Sequence, residues 1–254
     1  MTSPLFDLTG RRILVTGASK GIGRALAEGL AEHGAHVVLN ARSADALDAA
    51  ADELRAQGHA VSTAAFDVTD ATAVAEAVAR IEAGGPLDGL VNNAGMQFRA
   101  PLEDYPLDKW EQLFATNVRS VFLVGQAVAR GMIARKRGRI VNIASVQSEL
   151  ARPSIAPYTA TKGAVRNLTK GMATDWARHG LQVNAIAPGY FKTPLNAALV
   201  ADPDFSAWLE KRTPAGRWGD VGELKGAAVF LLSDAASFVN GQTLYVDGGI
   251  TASI

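Results

Sequence analysis

Short apolar runs alternate along the chain with longer stretches in which apolar residues recur every three or four positions. The short runs predict strands at Arg12–Thr16, His36–Asn40, Val61–Phe66, Gly89–Val91, Arg139–Ile143, Gln182–Ala187 and Thr243–Val246. The longer stretches predict helices at Ala25–His33, Ala44–Gln57, Ala71–Glu82, Leu107–Ala134, Tyr158–His179 and Gly222–Leu232. Apolar strands interleaved with helices predict an α/β fold, a doubly wound parallel sheet with helices on both faces.

The pattern predicts one domain over residues 1–254, because no repeat, low-complexity segment or linker interrupts it. The segment from about 189 to 219 fits the alternation least well. Its Pro, Phe and Trp content predicts a mobile helical insertion that covers a site.

Composition excludes several classes of function. Lys plus Arg and Asp plus Glu both number 25, so no basic excess indicates nucleic-acid binding. With no cysteine, disulfides, thiolate metal sites and cysteine nucleophiles are excluded, and the four histidines show no metal-ligand spacing. We expect a cytoplasmic protein without membrane association, because Met1–Gly10 does not resemble a secretory signal and apolar runs such as Gly226–Leu232 are short.

Tyr158 and Lys162 are four residues apart in a predicted helix, so their side chains should project from the same face. A tyrosine pKa near 10 is too high for a base at neutral pH, and a nearby ammonium would lower it. The pair is therefore a candidate acid–base device. The alternative is a partly buried tyrosine beside a solvated lysine.

A glycine-rich stretch, Thr16–Gly23, links the first strand to the first helix. Its glycines allow a tight turn and let backbone N–H groups approach a pyrophosphate at the helix N-terminus. The spacing G-x-x-x-G-x-G differs from the common dinucleotide motif, and the alternative is a plain strand–helix turn.

The end of the second strand, Val38–Ser43, indicates which dinucleotide is bound. It contains no acid that could accept a hydrogen bond from a ribose 2′-hydroxyl. It does contain Arg42, which could bind a 2′-phosphate, and Lys20 of the glycine-rich loop is a second candidate cation. These features favour NADP(H), with NAD(H) still possible. Asp67, after the third strand, is a candidate adenine contact. Alternatively, Arg42 is solvated, and Asp67 or Asp70 caps the next helix.

Taken together, these motifs resemble the short-chain dehydrogenase/reductase family. The marks are Thr16–Gly23, Asn92–Gly95, Ser145, Tyr158 with Lys162, Pro188–Gly189 and Val246–Gly249. The resemblance implies a Rossmann fold with strand order 3-2-1-4-5-6-7, a nicotinamide cofactor and a homotetramer.

The resemblance also assigns roles. Ser145 would bind the substrate oxygen, Tyr158 would exchange the proton, Lys162 would also hold the nicotinamide ribose, and Asn117 would hold a relay water. Alternatively, Asn117 is a polar surface residue and Ser145 an ordinary strand-end serine. The implied cofactor-binding residues are Gly17, Ser19, Lys20, Gly21, Ile22, Gly23, Arg42, Asp67, Val68, Asn93, Ala94, Gly95, Tyr158, Lys162, Pro188, Gly189 and Thr193.

Several loops further resemble one group within this family, the gluconate 5-dehydrogenases, which implies a polyhydroxy-acid substrate. The segments are Arg99, Ser145–Leu150, Ala187–Thr193, Lys211–Pro214 and Arg217–Asp220. A carboxylate needs a cation and hydroxyls need polar partners. The substrate candidates are Arg99, Ser145, Gln147, Glu149, Arg152, Tyr158 and Tyr190, with Lys192 as a further cation. Alternatively, these loop residues are solvated. The substrate would then be another keto-acid, a sugar or a 3-ketoacyl thioester. A third possibility is that the chain binds a nucleotide without turnover.

Overall fold

A computed structural model describes residues 4–253; the ends of the predicted domain, residues 1–3 and 254, lie outside the described residues. Seven strands form one parallel sheet in the order β3-β2-β1-β4-β5-β6-β7, which confirms the predicted fold class and strand order. The strands are β1 (Arg12–Val15), β2 (His36–Ala41), β3 (Val61–Ala65), β4 (Gly89–Asn92), β5 (Gly138–Ile143), β6 (Leu181–Pro188) and β7 (Thr243–Val246).

Helices cover both faces of this sheet. They are α1 (Gly21–Glu32), α2 (Ala44–Ala56), α3 (Ala71–Ala83), α4 (Leu107–Phe114), α5 (Ser120–Arg135), α6 (Ala156–Trp176), α7 (Ala197–Val200), α8 (Pro203–Arg212) and α9 (Lys225–Leu232). The apolar residues of α1, α2 and α9 form the core on one face, and those of α3, α5 and α6 form the core on the other. Two buried faces explain why the strands read as continuous apolar runs.

Several helices differ from their sequence-based bounds. The predicted helix Leu107–Ala134 is divided, because the π turn Ala115–Arg119 joins α4 to α5. α1 begins four residues earlier than predicted, so Gly21 and Gly23 belong to its first turn. The predicted helix Gly222–Leu232 opens with a 3₁₀ turn at Val221–Leu224, capped by Asp220.

Short helices occupy the segment from 189 to 219. A 3₁₀ turn at Pro194–Asn196 precedes α7 and α8. Leu209 and Trp218 are buried in a separate apolar cluster with Val146, which follows β5. This packing fixes the segment beside the carboxyl end of the sheet.

From β1 to β3 the chain adds strands toward one edge of the sheet, and it then crosses over β1 and adds β4 to β7 toward the other edge. The strand order therefore reverses between β1 and β4. In open α/β sheets, ligands bind at such a switch point, outside the carboxyl ends of the strands. Among residues 4–253, no helix is sufficiently long and apolar to cross a membrane.

Candidate active site

A cavity of about 1350 Å³ opens at this switch point. It is larger than a typical single-ligand pocket, so it has room for a dinucleotide and a substrate together. Its lining carries an excess of positive charge. The basic residues are Lys20, Arg42, Arg99, Arg152 and Lys162, and Asp67 is the only acid among the described lining residues. The cavity therefore suits ligands with several negative charges.

Two loops, after β1 and after β4, are fastened together at one end of the cavity. The Asn93 side-chain amide donates to the carbonyl oxygens of Thr16 (2.9 Å) and Gly17 (3.0 Å), and the Thr16 hydroxyl accepts from the backbone N–H of Asn93 and Ala94. Gly17 has a φ of +64°, and a Cβ there would lie 2.9 Å from the Cα of Ala94. Only glycine permits this close approach.

The N-terminus of α1 points its unpaired N–H groups toward the same end of the cavity. Lys20, at the cap position, makes no side-chain capping hydrogen bond. The first backbone donors of a helix need partners, and an anion supplies them well. A Cβ at Gly23 would collide with the carbonyl of Gly17, which keeps this turn compact. The geometry thus fits a pyrophosphate.

At the adenosine end of the cavity, the structure shows which of Asp67 and Asp70 caps α3. Asp70 caps α3, since its Oδ1 accepts from the N–H groups of Thr72 and Ala73. Asp67 does not cap; its Oδ1 accepts from the backbone and hydroxyl of Thr69, at 2.8 Å each. Both Asp67 and the exposed Arg42 line the cavity, where Arg42 helps to lower the pKa of Asp67.

Tyr158, Ser145 and Lys162 meet in the middle of the cavity. Ser145 follows β5, and its Oγ accepts from the N–H of Gln147 (3.2 Å), which orients the hydroxyl beside the Tyr158 phenol. Lys162 is one helical turn from Tyr158, and its Nζ lies 5.7 Å from the phenol ring centroid. The Nζ donates to the carbonyl of Ile143, at 2.7 Å. The predicted common face is therefore present.

The prediction that Lys162 lowers the pKa of Tyr158 is wrong for this structure. Burial raises the pKa of Tyr158 to about 12, and the interaction with Ser145 offsets only part of that rise. Burial also lowers the pKa of Lys162 to about 8, because the ammonium is likewise removed from water. Desolvation of both groups outweighs the attraction that the spacing alone would predict.

Asn117 lies in the π turn between α4 and α5 and is almost fully buried, so the surface alternative is wrong. Its side chain bonds both backbone groups of Met96, at 2.8 and 2.9 Å, and donates to the Thr161 hydroxyl at 3.2 Å. Thr161 in turn donates to the carbonyl of Tyr158 (2.7 Å). Asn117 thus connects the cavity wall to the helix that carries Tyr158 and Lys162.

Polar side chains continue from Tyr158 toward two arginines. The Nε2 of Gln147 donates to the Tyr190 hydroxyl (3.4 Å), and Arg152 and Arg99 lie near that hydroxyl and help to lower its pKa, against a larger rise caused by burial. Burial lowers the pKa of Arg99, and repulsion from Arg152 lowers it further. The Nε atoms of both arginines are buried without a partner among the described residues.

Two predicted substrate contacts are not in the cavity. Glu149 is turned away from the cavity, where its Oε1 pairs with Arg166 (2.6 Å) and accepts from the Tyr245 hydroxyl. The short 3₁₀ turn Val146–Ser148 after Ser145 directs Gln147 inward and Glu149 outward. Lys192 is exposed and does not line the cavity. Periodicity cannot reveal the direction of side chains in so short a turn.

All the predicted cofactor residues line the cavity, together with several that the sequence reasoning missed. The missed polar residues are Asn40, Thr69, Gln97, Gln112, Thr116 and Asn196. Most had a usable signal, because they lie within a few residues of a predicted contact: Thr69 follows Asp67, and Asn196 follows Thr193. Gln112 had none, since its place depends on how α4 packs.

Comparison with known proteins agrees with this geometry. Residues 17–251 match a family model described as enoyl-(acyl carrier protein) reductase. The chain is 66% identical to gluconate 5-dehydrogenase of Gluconobacter oxydans (98% of each chain) and 51% identical to 5-keto-D-gluconate 5-reductase of Escherichia coli K12 (98% and 99%). A crystal structure of gluconate 5-dehydrogenase from Burkholderia cenocepacia, in complex with NADP and tartrate, superposes with a TM-score of 0.97 at 58% identity over 99% of both chains. The chain belongs to the short-chain dehydrogenase/reductase family of oxidoreductases.

Proposed function

We propose that the protein is an NADP(H)-dependent oxidoreductase that interconverts D-gluconate and 5-keto-D-gluconate. The observation that carries this proposal is the charge of the cavity, in which five basic residues face a single acid. Cations at its two ends suit a phosphorylated dinucleotide at one end and a carboxylate at the other. The names of the relatives and the NADP and tartrate of the solved neighbour support the same assignment.

The cofactor would lie along the glycine loop, with its pyrophosphate at the N-terminus of α1. Arg42 and Lys20 would contact the ribose 2′-phosphate, since no acid of the described lining stands at the end of β2. Asp67 and Val68 would hold the adenine, whereas Pro188, Gly189 and Thr193 would hold the nicotinamide. When bound, the nicotinamide supplies a hydride in reduction and accepts one in oxidation.

The protein's own groups would handle the proton. Because burial raises the pKa of Tyr158 to about 12, the phenol is protonated at neutral pH and can donate to the oxygen of a reduced carbonyl. The Ser145 hydroxyl would stabilise the charge on that oxygen. Lys162 would hold the nicotinamide ribose. Asn117 would hold a relay water beside the bonds that its side chain makes to Met96 and Thr161.

The substrate would lie along the row from Ser145 to Arg99. Ser145 and Tyr158 mark the reacting carbonyl, Gln147 and Tyr190 follow it, and the two arginines end the row. This order matches a chain with a keto group toward one end, hydroxyls between and a carboxylate at the other end. The segment of α7 and α8 would cover it, since Tyr190, Asn196 and Leu199 line the cavity.

The assembly and location form part of the same proposal. Trp110 and Phe122, on the α4–α5 helix, and Phe238, before β7, expose large apolar surfaces. Large exposed apolar surfaces favour burial against other copies of the same chain, which agrees with a homotetramer. The proposed location is the cytoplasm. Light scattering coupled to size exclusion measures the mass of the assembly.

A panel of substrates tests the proposed reaction. We expect NADPH oxidation to be fastest with 5-keto-D-gluconate. Neutral keto-sugars and 3-ketoacyl thioesters should react more slowly because only a carboxylate engages both arginines, and keto-acids without hydroxyls because nothing in them pairs with Gln147 and Tyr190. Preference for a 3-ketoacyl thioester would favour the alternative of a ketoacyl reductase. Absence of turnover with every member would favour nucleotide binding alone, although Ser145, Tyr158 and Lys162 sharing one cavity speaks against this.

Replacing Arg42 by alanine tests the choice of cofactor. We expect kcat/KM for NADPH to fall about 10- to 100-fold, the effect of losing a hydrogen-bonded charge partner, with kcat/KM for NADH nearly unchanged. Arg80→Ala is the matched control, since Arg80 is exposed on α3 and outside the cavity. An unchanged NADPH/NADH ratio in Arg42→Ala would contradict the role given to Arg42.

A further inference from the structure

Gln147 is a buried polar residue of the active site whose hydrogen bonding is incomplete. Its side chain is 6% exposed and lines the cavity, two residues after Ser145. Its Nε2 donates to the Tyr190 hydroxyl at 3.4 Å, but its Oε1 is buried with no partner among the described residues. Buried polar atoms are nearly always paired, so an unpaired amide oxygen on a side chain that lines the ligand cavity points to the ligand as the missing partner.

The position of Gln147 determines which part of a ligand it meets. Its backbone N–H orients the Ser145 oxygen, so the start of the glutamine is fixed directly beside the group that binds the reacting carbonyl. Its amide end reaches the Tyr190 hydroxyl, the next group along the row toward Arg152. When Ser145 binds the reacting carbonyl, a side chain held at both ends in this way would meet the carbon next to the carbonyl carbon.

The chemistry of the amide selects a hydroxyl at that carbon. A free amide oxygen requires a donor, which a methylene, an ether or a carboxylate cannot provide. A hydroxyl would also satisfy the amide if its oxygen and nitrogen were exchanged, since a hydroxyl both donates and accepts. A ligand with a methylene at this position would leave the buried oxygen unpaired.

We propose that Gln147 is a specificity-determining residue that binds the hydroxyl on the carbon adjacent to the reacting carbonyl. The active site therefore selects α-hydroxy ketones. This inference deepens the proposed function and depends on it only for carbonyl reduction, not for the identity of the sugar acid. In 5-keto-D-gluconate, the carbons on both sides of the keto group carry hydroxyls, so either one can be the group that Gln147 binds.

A cycle of enzyme and substrate changes tests this inference. Wild-type protein and Gln147→Met are assayed with NADPH on 5-keto-D-gluconate and on its 4-deoxy and 6-deoxy analogues. Methionine keeps the length of the side chain and removes its hydrogen-bonding groups. We expect Gln147→Met to lose about 10- to 100-fold in kcat/KM on the full substrate, and less than about threefold on the analogue that lacks the bound hydroxyl. The Kd for NADPH should stay within about twofold, because Gln147 lies at the substrate end.

Gln57→Met is the control, since Gln57 is exposed at the end of α2 and lies outside the cavity. Equal losses on the full substrate and both analogues would overturn the inference, because the glutamine would then act without a hydroxyl. If the substrate panel identifies another keto-acid, the gluconate assignment fails, and the cycle is run on that acid and its deoxy analogues. A preferred substrate with no hydroxyl beside its carbonyl would overturn the role of Gln147 itself.

Discussion

Replacing Tyr158 by phenylalanine should lower kcat about 10²- to 10⁴-fold, the range that a positioned proton donor contributes, while the Kd for NADPH changes little. The reason is geometric: the phenol is the acid that stands beside Ser145 in the middle of the cavity, and phenylalanine preserves the ring without the proton. Stopped-flow rates give kcat, and fluorescence titration gives the Kd.

Tyr105→Phe is the matched control. The Tyr105 hydroxyl is buried with no partner within residues 4–253 and lies outside the cavity, so its removal should leave activity within about twofold and stability undiminished. If Tyr158→Phe kept more than a tenth of the wild-type kcat, another group would have to be the proton donor.

The pKa of Tyr158 also gives the two directions of the reaction opposite pH dependences. Since burial raises that pKa to about 12, the phenol form needed for reduction predominates at neutral pH. The phenolate needed for oxidation increases as the pH rises toward the pKa. Initial rates of gluconate oxidation should therefore rise from pH 7 to 10 in the wild type and remain flat in Tyr158→Phe.

Replacing either Arg99 or Arg152 by leucine should raise the KM for 5-keto-D-gluconate about 10- to 100-fold, with a smaller effect on kcat. The two guanidinium groups lie close enough to repel each other, and no acid of the described lining is beside them, so a carboxylate is the partner they lack. The KM for the methyl ester of the same acid, which has no negative charge, should change less than about threefold.

The thermal unfolding temperature, Tm, distinguishes whether these arginines bind the ligand or stabilise the fold. Because each is half-buried and repelled by the other, removing one should not lower Tm. Arg80→Leu controls for loss of an arginine at the surface, where such ion pairs contribute little. An equal rise of KM for the acid and its ester would show that the arginines shape the cavity rather than bind the carboxylate.

Some of the fold was predictable because it depends on local pattern. The seven apolar runs place the strands within about two residues, since two buried faces require continuous apolar side chains. The pair Tyr158 and Lys162 was predictable because helix geometry alone puts residues four apart on one face. The missed π turn at Ala115–Arg119 depends instead on Asn117 bonding Met96 and Thr161, neither of which is close to it in sequence.

The sequence by itself therefore determined the fold class, because periodicity is a local property. The family resemblance implied the strand order and assigned Tyr158 as the reacting group. The tertiary structure decided the electrostatics and the substrate contacts. Burial reversed the expected shift in the pKa of Tyr158. One short turn directed Glu149 outward to Arg166 and placed Gln147 in the cavity lining, where its oxygen has no partner among the described residues. Desolvation and side-chain direction depend on what packs around a residue, which spacing along the chain does not specify.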